Sequence, residues 1–260
     1  MRRARLLMAL ALRQIGHAGR CVSRVSDYLS IAALRLDELK EGIRTRWQDF
    51  SDADLDTSAG LMPWEREMFE RVTVPRSDVL LVGCGSGREL FALIEQGCRV
   101  TGIDPADDAL DRAQRGLESR HLSATLVEGF FEDVPLSGQF DLVIFSHYCY
   151  SLIPTARRRI AALDKASTVL KPGGHILVSY VAAPRPRALL VTLGRMMGAL
   201  CRSDWRIEPG DVVWGLGQRL NFQHMFESGE LEHEAAAARV RPAFRAEFPL
   251  GTVAVVLQRI

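Results

Sequence analysis

A ligand could bind to the main chain at residues 79–90, where an apolar run is followed at once by alternating glycines. Gly83, Gly85 and Gly87 carry no β-carbon, so a ligand can approach the backbone closely at this point. A helix-prone run begins at Glu89, and the free amide groups at a helix start favour a polar or anionic group. The spacing therefore predicts a buried strand, a tight turn and a helix, with a ligand above the turn.

An acidic residue follows the glycine turn at the spacing that is typical of nucleoside-binding sites. Residues 99–104 are predicted as the next strand, which ends at Asp104, 21 positions after Gly83. In doubly wound folds an acidic residue about 20 positions after the glycine turn accepts hydrogen bonds from a ribose. We therefore predict a cofactor that contains adenosine.

The glycine spacing distinguishes between adenosine cofactors. The nicotinamide fingerprint places its third glycine one position later, where this chain has Arg88. The segment Val-Gly-Cys-Gly-Ser-Gly, residues 82–87, instead resembles motif I of the class I S-adenosylmethionine-dependent methyltransferases. Further segments resemble the same family in the same order, at residues 102–105, 126–129, 140–146 and 170–178. The resemblance covers roughly residues 60–260 and implies S-adenosyl-L-methionine as the cofactor.

The resemblance and the predicted strand ends together indicate which residues bind the cofactor. Its predicted members are Gly83, Cys84, Gly85, Ser86, Gly87, Asp104, Pro105, Phe130, Phe131 and Ser146. The family often has acids two residues before the first glycine and after the third strand, where this chain has Leu81 and Phe130. Phe130 or Phe131 could lie against adenine instead. We interpret Cys84 as a small residue within the turn and not as a nucleophile.

Two histidines are candidates for a general base, which is needed only if the acceptor begins as a hydroxyl or a phenol. His147 follows the fourth predicted strand, whose carboxyl end borders the expected ligand crevice. His224 lies in residues 184–230, an insert that in the resembled family commonly builds the acceptor pocket. Histidine titrates in the useful range, but each ring could instead be packed, and His147 could orient the cofactor. The five arginines of the insert could bind an acidic acceptor or form a solvated helix face.

Composition limits the classes of protein that the chain can belong to. The 260 residues are 47% hydrophobic and 25% charged, with a net charge of +1, which indicates one large core and gives no reason to expect a nucleic acid partner. Five cysteines show neither metal-ligand spacing nor a disulfide framework, so we predict no metal site and a cytoplasmic location. No stretch approaches the ~20 apolar residues of a membrane span.

The first 60 residues are predicted to be a helical extension and a linker. Apolar residues spaced by three and four across residues 22–43 predict one helix. Ile31 and Leu34 widen its apolar stripe, which favours packing on the chain's own body over a homodimer seam or a lid above the substrate. Residues 49–60 are acidic and small and are predicted to be the linker.

The N-terminus has the first two features of a secretion signal. Arg2, Arg3 and Arg5 precede an apolar run, but Arg13 ends this run after seven residues. We therefore predict that the segment is not a signal peptide, and a short basic helix on a membrane surface is the alternative.

From residue 61 onward the pattern predicts alternating strands and helices. Strands are predicted at 79–82, 99–104, 124–128, 140–146 and 175–180, and helices at 87–96, 106–119 and 155–169. Continuous apolar strands separated by helices indicate an α/β fold with a parallel, doubly wound sheet. The runs 244–248 and 252–260 have a short joint and predict a C-terminal antiparallel hairpin. The resemblance implies a Rossmann-like domain over residues 61–260, with seven mostly parallel strands and the insert before the hairpin.

Three functions follow from these patterns. The first hypothesis is S-adenosylmethionine-dependent methyl transfer to an oxygen or a nitrogen of a small-molecule acceptor. The alternative is a non-catalytic scaffold or partner subunit with the same fold, which Leu81, Phe130 and the apolar seam at 22–43 favour. A nicotinamide-dependent oxidoreductase is disfavoured by Arg88 and by the lack of a Tyr-x-x-x-Lys pair.

Overall fold

The central element of the fold is one seven-stranded sheet. The structure is a computed structural model that describes residues 25–53, 60–182, 188–213 and 222–260. Its strands are β1 (Asp78–Val82), β2 (Arg99–Asp104), β3 (Thr125–Glu128), β4 (Phe140–Phe145), β5 (Leu170–Val181), β6 (Asp211–Val213), β7 (Phe222–His224), β8 (Val240–Glu247) and β9 (Thr252–Arg259). The order across the sheet is β3-β2-β1-β4-β5-β9-β8, and β6 and β7 form a separate antiparallel pair.

The sheet confirms the predicted topology. Strands β1 to β5 run parallel, whereas β9 pairs antiparallel with both β5 and β8. The order reverses between β1 and β4, which creates the crevice where ligands bind in doubly wound sheets. The fold is thus the predicted Rossmann-like sheet with a C-terminal antiparallel hairpin, and β5 begins five residues earlier than expected.

Helices cover both faces of this sheet. They are α1 (described over residues 25–33), α2 (Leu36–Ala53), α3 (Pro63–Val72), α4 (Arg88–Glu95), α5 (Asp107–Ser119), α6 (Ala156–Thr168), α7 (Ala188–Cys201) and α8 (Glu230–Ala237). Successive residues of β1 point to opposite faces, so Leu80 packs with α6 and α8 while Leu81 packs with α3, α4 and α5. Leu81 is fully buried in that second layer, away from the crevice.

The N-terminal seam forms two helices and not one. The break lies at residues 34–35, where the amide of Arg35 donates to Glu38 and the amide of Leu36 donates to Asp204 at 2.7 Å. These side chains satisfy the free amides at the start of α2, so a new helix can begin there.

The apolar seam packs against the chain's own insert. Ile31, Leu39 and Ile43 lie in one cluster with Val191 of α7 and with Trp205, Ile207 and Phe222. Within residues 25–43 this packing uses the face that would have formed the homodimer seam. Helix α2 runs to Ala53, so the predicted linker is partly helical, and its residues 54–59 lie outside the described part, as does the basic run near the N-terminus.

Among the described residues, no helix is both long and apolar enough to cross a bilayer.

Candidate active site

The glycine turn forms the floor of a cleft at the carboxyl ends of β1, β2 and β4. Gly83, Gly85 and Gly87 all have positive φ, which side chains adopt only with strain. A β-carbon on Gly83 would collide with the sulfur of Cys149, and one on Gly87 would collide with the ring of Phe91. A β-carbon on Gly85 would meet nothing within 4 Å. Gly85 therefore borders open space, which is where a ligand can lie on the backbone.

Asp104 lies at the base of this cleft and does not face solvent. Its side chain accepts hydrogen bonds from the amides of Gly85 and Ala106, each at 2.9 Å. Burial raises the pKa of Asp104 to about 6, although the two amides act in the opposite direction. A carboxylate has about four acceptor positions, so further positions are available for the hydroxyls of a ribose.

The two phenylalanines after β3 have different environments. Phe131 is buried in the core and packs edge-on against Phe145, with ring centroids 5.3 Å apart. Phe130 is half-buried on the cleft wall, and the ammonium of Lys40 lies 4.4 Å from its ring centroid. Of the two candidates, Phe130 thus has the more accessible ring for a flat base.

Helix α2 closes one side of the cleft. Lys40 and Ile43 line the cleft, and Lys40 donates to Asp133 at 2.6 Å and lies 3.5 Å from a carboxylate oxygen of Glu132. Arg44 lies 3.6 Å from Asp107 at the start of α5. These ion pairs attach α2 to the loop after β3 and to the start of α5, so α2 forms one wall of the cleft.

The opposite end of the cleft holds a buried charged cluster. Arg88 donates to both carboxylate oxygens of Glu65 and, at 3.0 Å, to Glu89, whose other oxygen accepts from the hydroxyl of Ser146. Burial opposes ionisation of Glu65, but the hydrogen bonds from Arg88 hold its pKa well below the ordinary value. Burial and the neighbouring Glu65 raise the pKa of Glu89 well above the ordinary value. One ionised carboxylate therefore balances one guanidinium, and burial beside Glu65 favours the protonated form of Glu89.

His147 lines the cleft next to this cluster. Its Nδ1 is 3.7 Å from a carboxylate oxygen of Glu65, which is too long for a hydrogen bond. Among the described residues, this buried nitrogen has no hydrogen-bond partner. His147 and Tyr148 both have positive φ, and the phenol of Tyr148 lies 2.6 Å from the hydroxyl of Thr252. The strained turn after β4 is therefore fixed by β9 and leaves the His147 ring available to a ligand.

His224 does not line the cleft, and its assignment as a base stays a prediction. Its ring is fully buried, with Nδ1 2.7 Å from Asp211 and Nε2 3.1 Å from Glu230. Hydrogen bonds to these carboxylates raise its pKa in spite of burial. Arg159 also contacts this ring, at 3.3 Å. The histidine belongs to a buried polar network, which argues against contact with an acceptor in the cleft.

The remaining predicted residues lie together at the cleft. Cys84, Ser86, Pro105 and Ser146 line it along with Gly83, Gly85 and Asp104, whereas Gly87 does not. Burial raises the pKa of the Cys84 thiol well above the ordinary value, as expected for an inert packed cysteine. The described part of the insert does not line the cleft and instead packs on α1 and α2.

Five charged residues of the described site were not predicted, namely Lys40, Glu65, Arg88, Glu89 and Glu132. Arg88 had appeared only as a departure from the nicotinamide fingerprint. The sequence signal that could have identified Arg88 as a site residue is its position directly after the glycine turn, as the first residue of α4. Glu65 stands three residues after Met62 and accepts from its amide, which is an ordinary helix-start position.

The fold, the glycine turn and the buried Asp104 are the features that the resemblance to S-adenosylmethionine-dependent methyltransferases implied. In agreement, residues 79–174 match the family model described as a methyltransferase domain.

Known proteins with similar sequences are methyltransferases. The chain is 33% identical over 126 residues to the cypemycin N-terminal methyltransferase of a Streptomyces species, covering 48% of this chain and 49% of the relative. It is 32% identical over 116 residues to the ubiquinone biosynthesis O-methyltransferase of Marinobacter nauticus, covering 43% and 47%. The alignments thus span about half the length of these curated relatives.

Solved structures extend the similarity of the fold to most of the chain. The CcbJ methyltransferase from Streptomyces caelestis superposes with a TM-score of 0.57 at 19% identity, covering 78% of this chain and 98% of that one. An S-adenosylmethionine-dependent methyltransferase from Clostridium acetobutylicum gives 0.55 at 11% identity, covering 83% and 92%. At these low identities the similarities identify the fold and not the reaction.

Proposed function

We propose that the protein is an S-adenosylmethionine-dependent methyltransferase that acts on an oxygen or a nitrogen of a small molecule. The observation that carries the proposal is the pairing of Gly85 with Asp104. The backbone of Gly85 borders open space, and its amide donates to the buried carboxylate of Asp104 at 2.9 Å. This carboxylate has further acceptor positions for a ligand. The relatives whose names state a methylated atom include an N-terminal methyltransferase and O-methyltransferases, which is consistent with either acceptor.

The residues of the cleft fit the cofactor along its whole length. Asp104 would hold the ribose, Phe130 would cover the adenine, and Gly83, Gly85 and Ser146 would border the methionine end. When bound, the cofactor supplies a methyl group on a sulfonium centre whose leaving group is a neutral thioether. Because no general acid is required, the task of the protein is to position the acceptor and to exclude water.

The charged cluster supports chemistry on a neutral acceptor. Glu65 and Arg88 compensate each other, and burial beside Glu65 favours the protonated form of Glu89, so we expect the cluster to add little net charge beside the reacting atoms. His147 is the one predicted base that lines the cleft, and its imidazole could accept the proton of a hydroxyl or an amine. Its position supports His147 as the base and argues against His224.

Binding and transfer test this proposal in order. Titration calorimetry with S-adenosylmethionine and with S-adenosylhomocysteine is expected to show binding at one site, and Asp104→Ala is expected to abolish it. Methyl transfer from labelled cofactor to a panel of phenols, amines and short peptides then identifies the acceptor. The His147→Gln variant is expected to keep cofactor affinity and to lose about 100-fold in kcat if the acceptor must be deprotonated. A correctly folded protein that does not bind the cofactor would end the proposal.

The scaffold alternative has lost two of its supports. Within residues 25–43 the apolar seam is used in packing within the chain, and Leu81 is a core residue that does not line the cleft. A protein that binds the cofactor but transfers methyl to no acceptor of the panel would restore that alternative. The predicted cytoplasmic location is part of the proposal.

A further inference from the structure

Helix α7 exposes a continuous apolar stripe. Leu189, Leu193, Met196 and Leu200 follow one another at spacings of four, three and four, so they lie on one helical face. Leu189, Met196 and Leu200 are 70%, 64% and 79% exposed. Single exposed leucines are ordinary, but large apolar side chains in one line along a helix form a surface that another apolar phase can cover.

The opposite face of α7 attaches it firmly to the protein. Val191, Gly194 and Gly198 face inward, and a β-carbon on Gly194 would come within 2.9 Å of the Tyr28 ring. One on Gly198 would come within 2.9 Å of the carbonyl oxygen of Ala32. Small residues thus let α7 pack closely on α1 and turn its large apolar side chains outward. The close packing of α7 on α1 therefore fixes the orientation of the apolar stripe.

The sequence that contains the stripe is rich in arginine. Residues 183–206, which include α7, carry five arginines and one acidic residue. That acidic residue, Asp204, is used in holding the start of α2 and lies 3.4 Å from Arg35. Residues 1–24, which lead into α1, carry six arginines and no acidic residue. Because the whole chain has a net charge of only +1, the remainder of the molecule is net acidic.

We propose that α7 binds the surface of an anionic lipid bilayer, with its apolar stripe in the interface and the exposed Arg202 and Arg206, which follow the helix, on the headgroups. An apolar helical face bordered by arginines is the arrangement that binds in the plane of a membrane. A helix of 14 residues is too short to span the bilayer, so this is attachment to the surface. A second copy of the chain is the less suitable occupant, because it would bring the same positive charges together.

Flotation with lipid vesicles tests this surface in the full-length protein. The protein is expected to float with phosphatidylcholine vesicles that contain phosphatidylglycerol, to bind weakly to phosphatidylcholine alone, and to dissociate at high salt. Met196→Glu/Leu200→Glu is expected to weaken binding by about tenfold or more, because two exposed apolar side chains are lost and negative charge is added. Arg202→Gln/Arg206→Gln is expected to weaken it about fivefold per arginine while leaving the stripe intact.

A matched control separates the stripe from general effects of charge. Val74→Glu/Ile260→Glu removes two apolar side chains of similar exposure, 65% and 76%, and adds the same charge outside α7. This control is expected to bind vesicles like the wild type, and circular dichroism and cofactor affinity verify that each variant is folded. The proposal is overturned if the wild type does not bind anionic vesicles. It is also overturned if Met196→Glu/Leu200→Glu and Val74→Glu/Ile260→Glu bind these vesicles equally well. It is also overturned if light scattering finds a dimer that Met196→Glu/Leu200→Glu dissociates.

Discussion

Asp104 connects the electrostatics of the cleft to its ligand. Burial raises its pKa to about 6, so the carboxyl gains a proton as the pH falls through that value. Hydroxyl groups of a ribose donate to the ionised form, so binding favours ionisation. We expect the Kd for S-adenosylmethionine to be constant above about pH 7 and to rise below pH 6, by at most about tenfold per unit. Calorimetry from pH 5 to 8 measures this dependence.

The Asp104→Asn variant shows whether this carboxyl is responsible. An amide does not titrate, so the variant should bind weakly and with a flat profile. Asp141, which pairs with Lys171 and does not line the cleft, provides the comparison. Asp141→Asn should retain the wild-type profile, and an affinity that is independent of pH in the wild type would refute the assignment.

Gly85 allows a test of the open backbone that borders the cleft. Gly85→Ala and Gly138→Ala each place a β-carbon at positive φ with no atom within 4 Å, but Gly138 does not line the cleft. Each should lower the free energy of unfolding by about 1–2 kcal/mol, the cost of left-handed backbone. Only Gly85→Ala should also weaken cofactor binding, because its methyl group occupies ligand space. Urea denaturation and calorimetry together distinguish the two effects, and equal affinities in both variants would contradict the assigned binding surface.

Among the elements, helix α2 is the one whose attachment to the site can be loosened by a single change. The Lys40 side chain is only 11% exposed, and its ammonium joins α2 to Asp133 and Glu132. Lys40→Met should weaken cofactor affinity about fivefold, through faster dissociation, because the open form of the cleft becomes more populated. The wild-type affinity should decrease with salt, and that of the variant should depend on salt less.

A second lysine provides the control for α2. Lys171 bridges Asp78 and Asp141 without lining the cleft, so Lys171→Met should leave the dissociation rate unchanged. Stopped-flow measurement of cofactor release compares the variants. If Lys40→Met releases cofactor at the wild-type rate, α2 does not retain the ligand.

Helices and strands whose ends are set by apolar periodicity and nearby glycines could be predicted from the sequence. Those whose ends depend on contacts with residues far away in the sequence could not. Strands β1, β2 and β4 and helices α4 to α6 lie within two residues of their predicted ends, because their apolar periods and glycines are local signals. The break before α2 was missed because Asp204, 168 residues away, caps it.

The same distinction explains the site. The glycine turn and Asp104 carry a fixed spacing, and the cleft contains them as expected. The two histidines looked alike in sequence, but Asp211 and Arg159 bury His224 in a network that only the folded chain assembles. Glu65 gave no signal because its partner Arg88 lies 23 positions away.

At the scale of the whole molecule, one buried arginine joins the parts of the chain that follow β4. Arg159 of α6 is fully buried and donates to Glu234 of α8 at 2.7 Å. Glu234 also accepts from Tyr150, in the turn beside the cleft, and Arg159 contacts the ring of His224 on β7. A charge with this many buried partners stabilises the fold only while all of them are present.

Removal of that charge should therefore destabilise the entire domain. We expect Arg159→Met to lower the free energy of unfolding by about 3–5 kcal/mol, because Glu234 would remain as a buried carboxylate without its cation. Arg157→Met, on the exposed side of the same helix, should change it by less than about 0.5 kcal/mol. The double variant Arg159→Met/Glu234→Leu should be more stable than Arg159→Met, since no unpaired charge is left. Urea denaturation compares the three, and a double variant less stable than the single one would mean that packing volume, and not charge, makes Arg159 necessary.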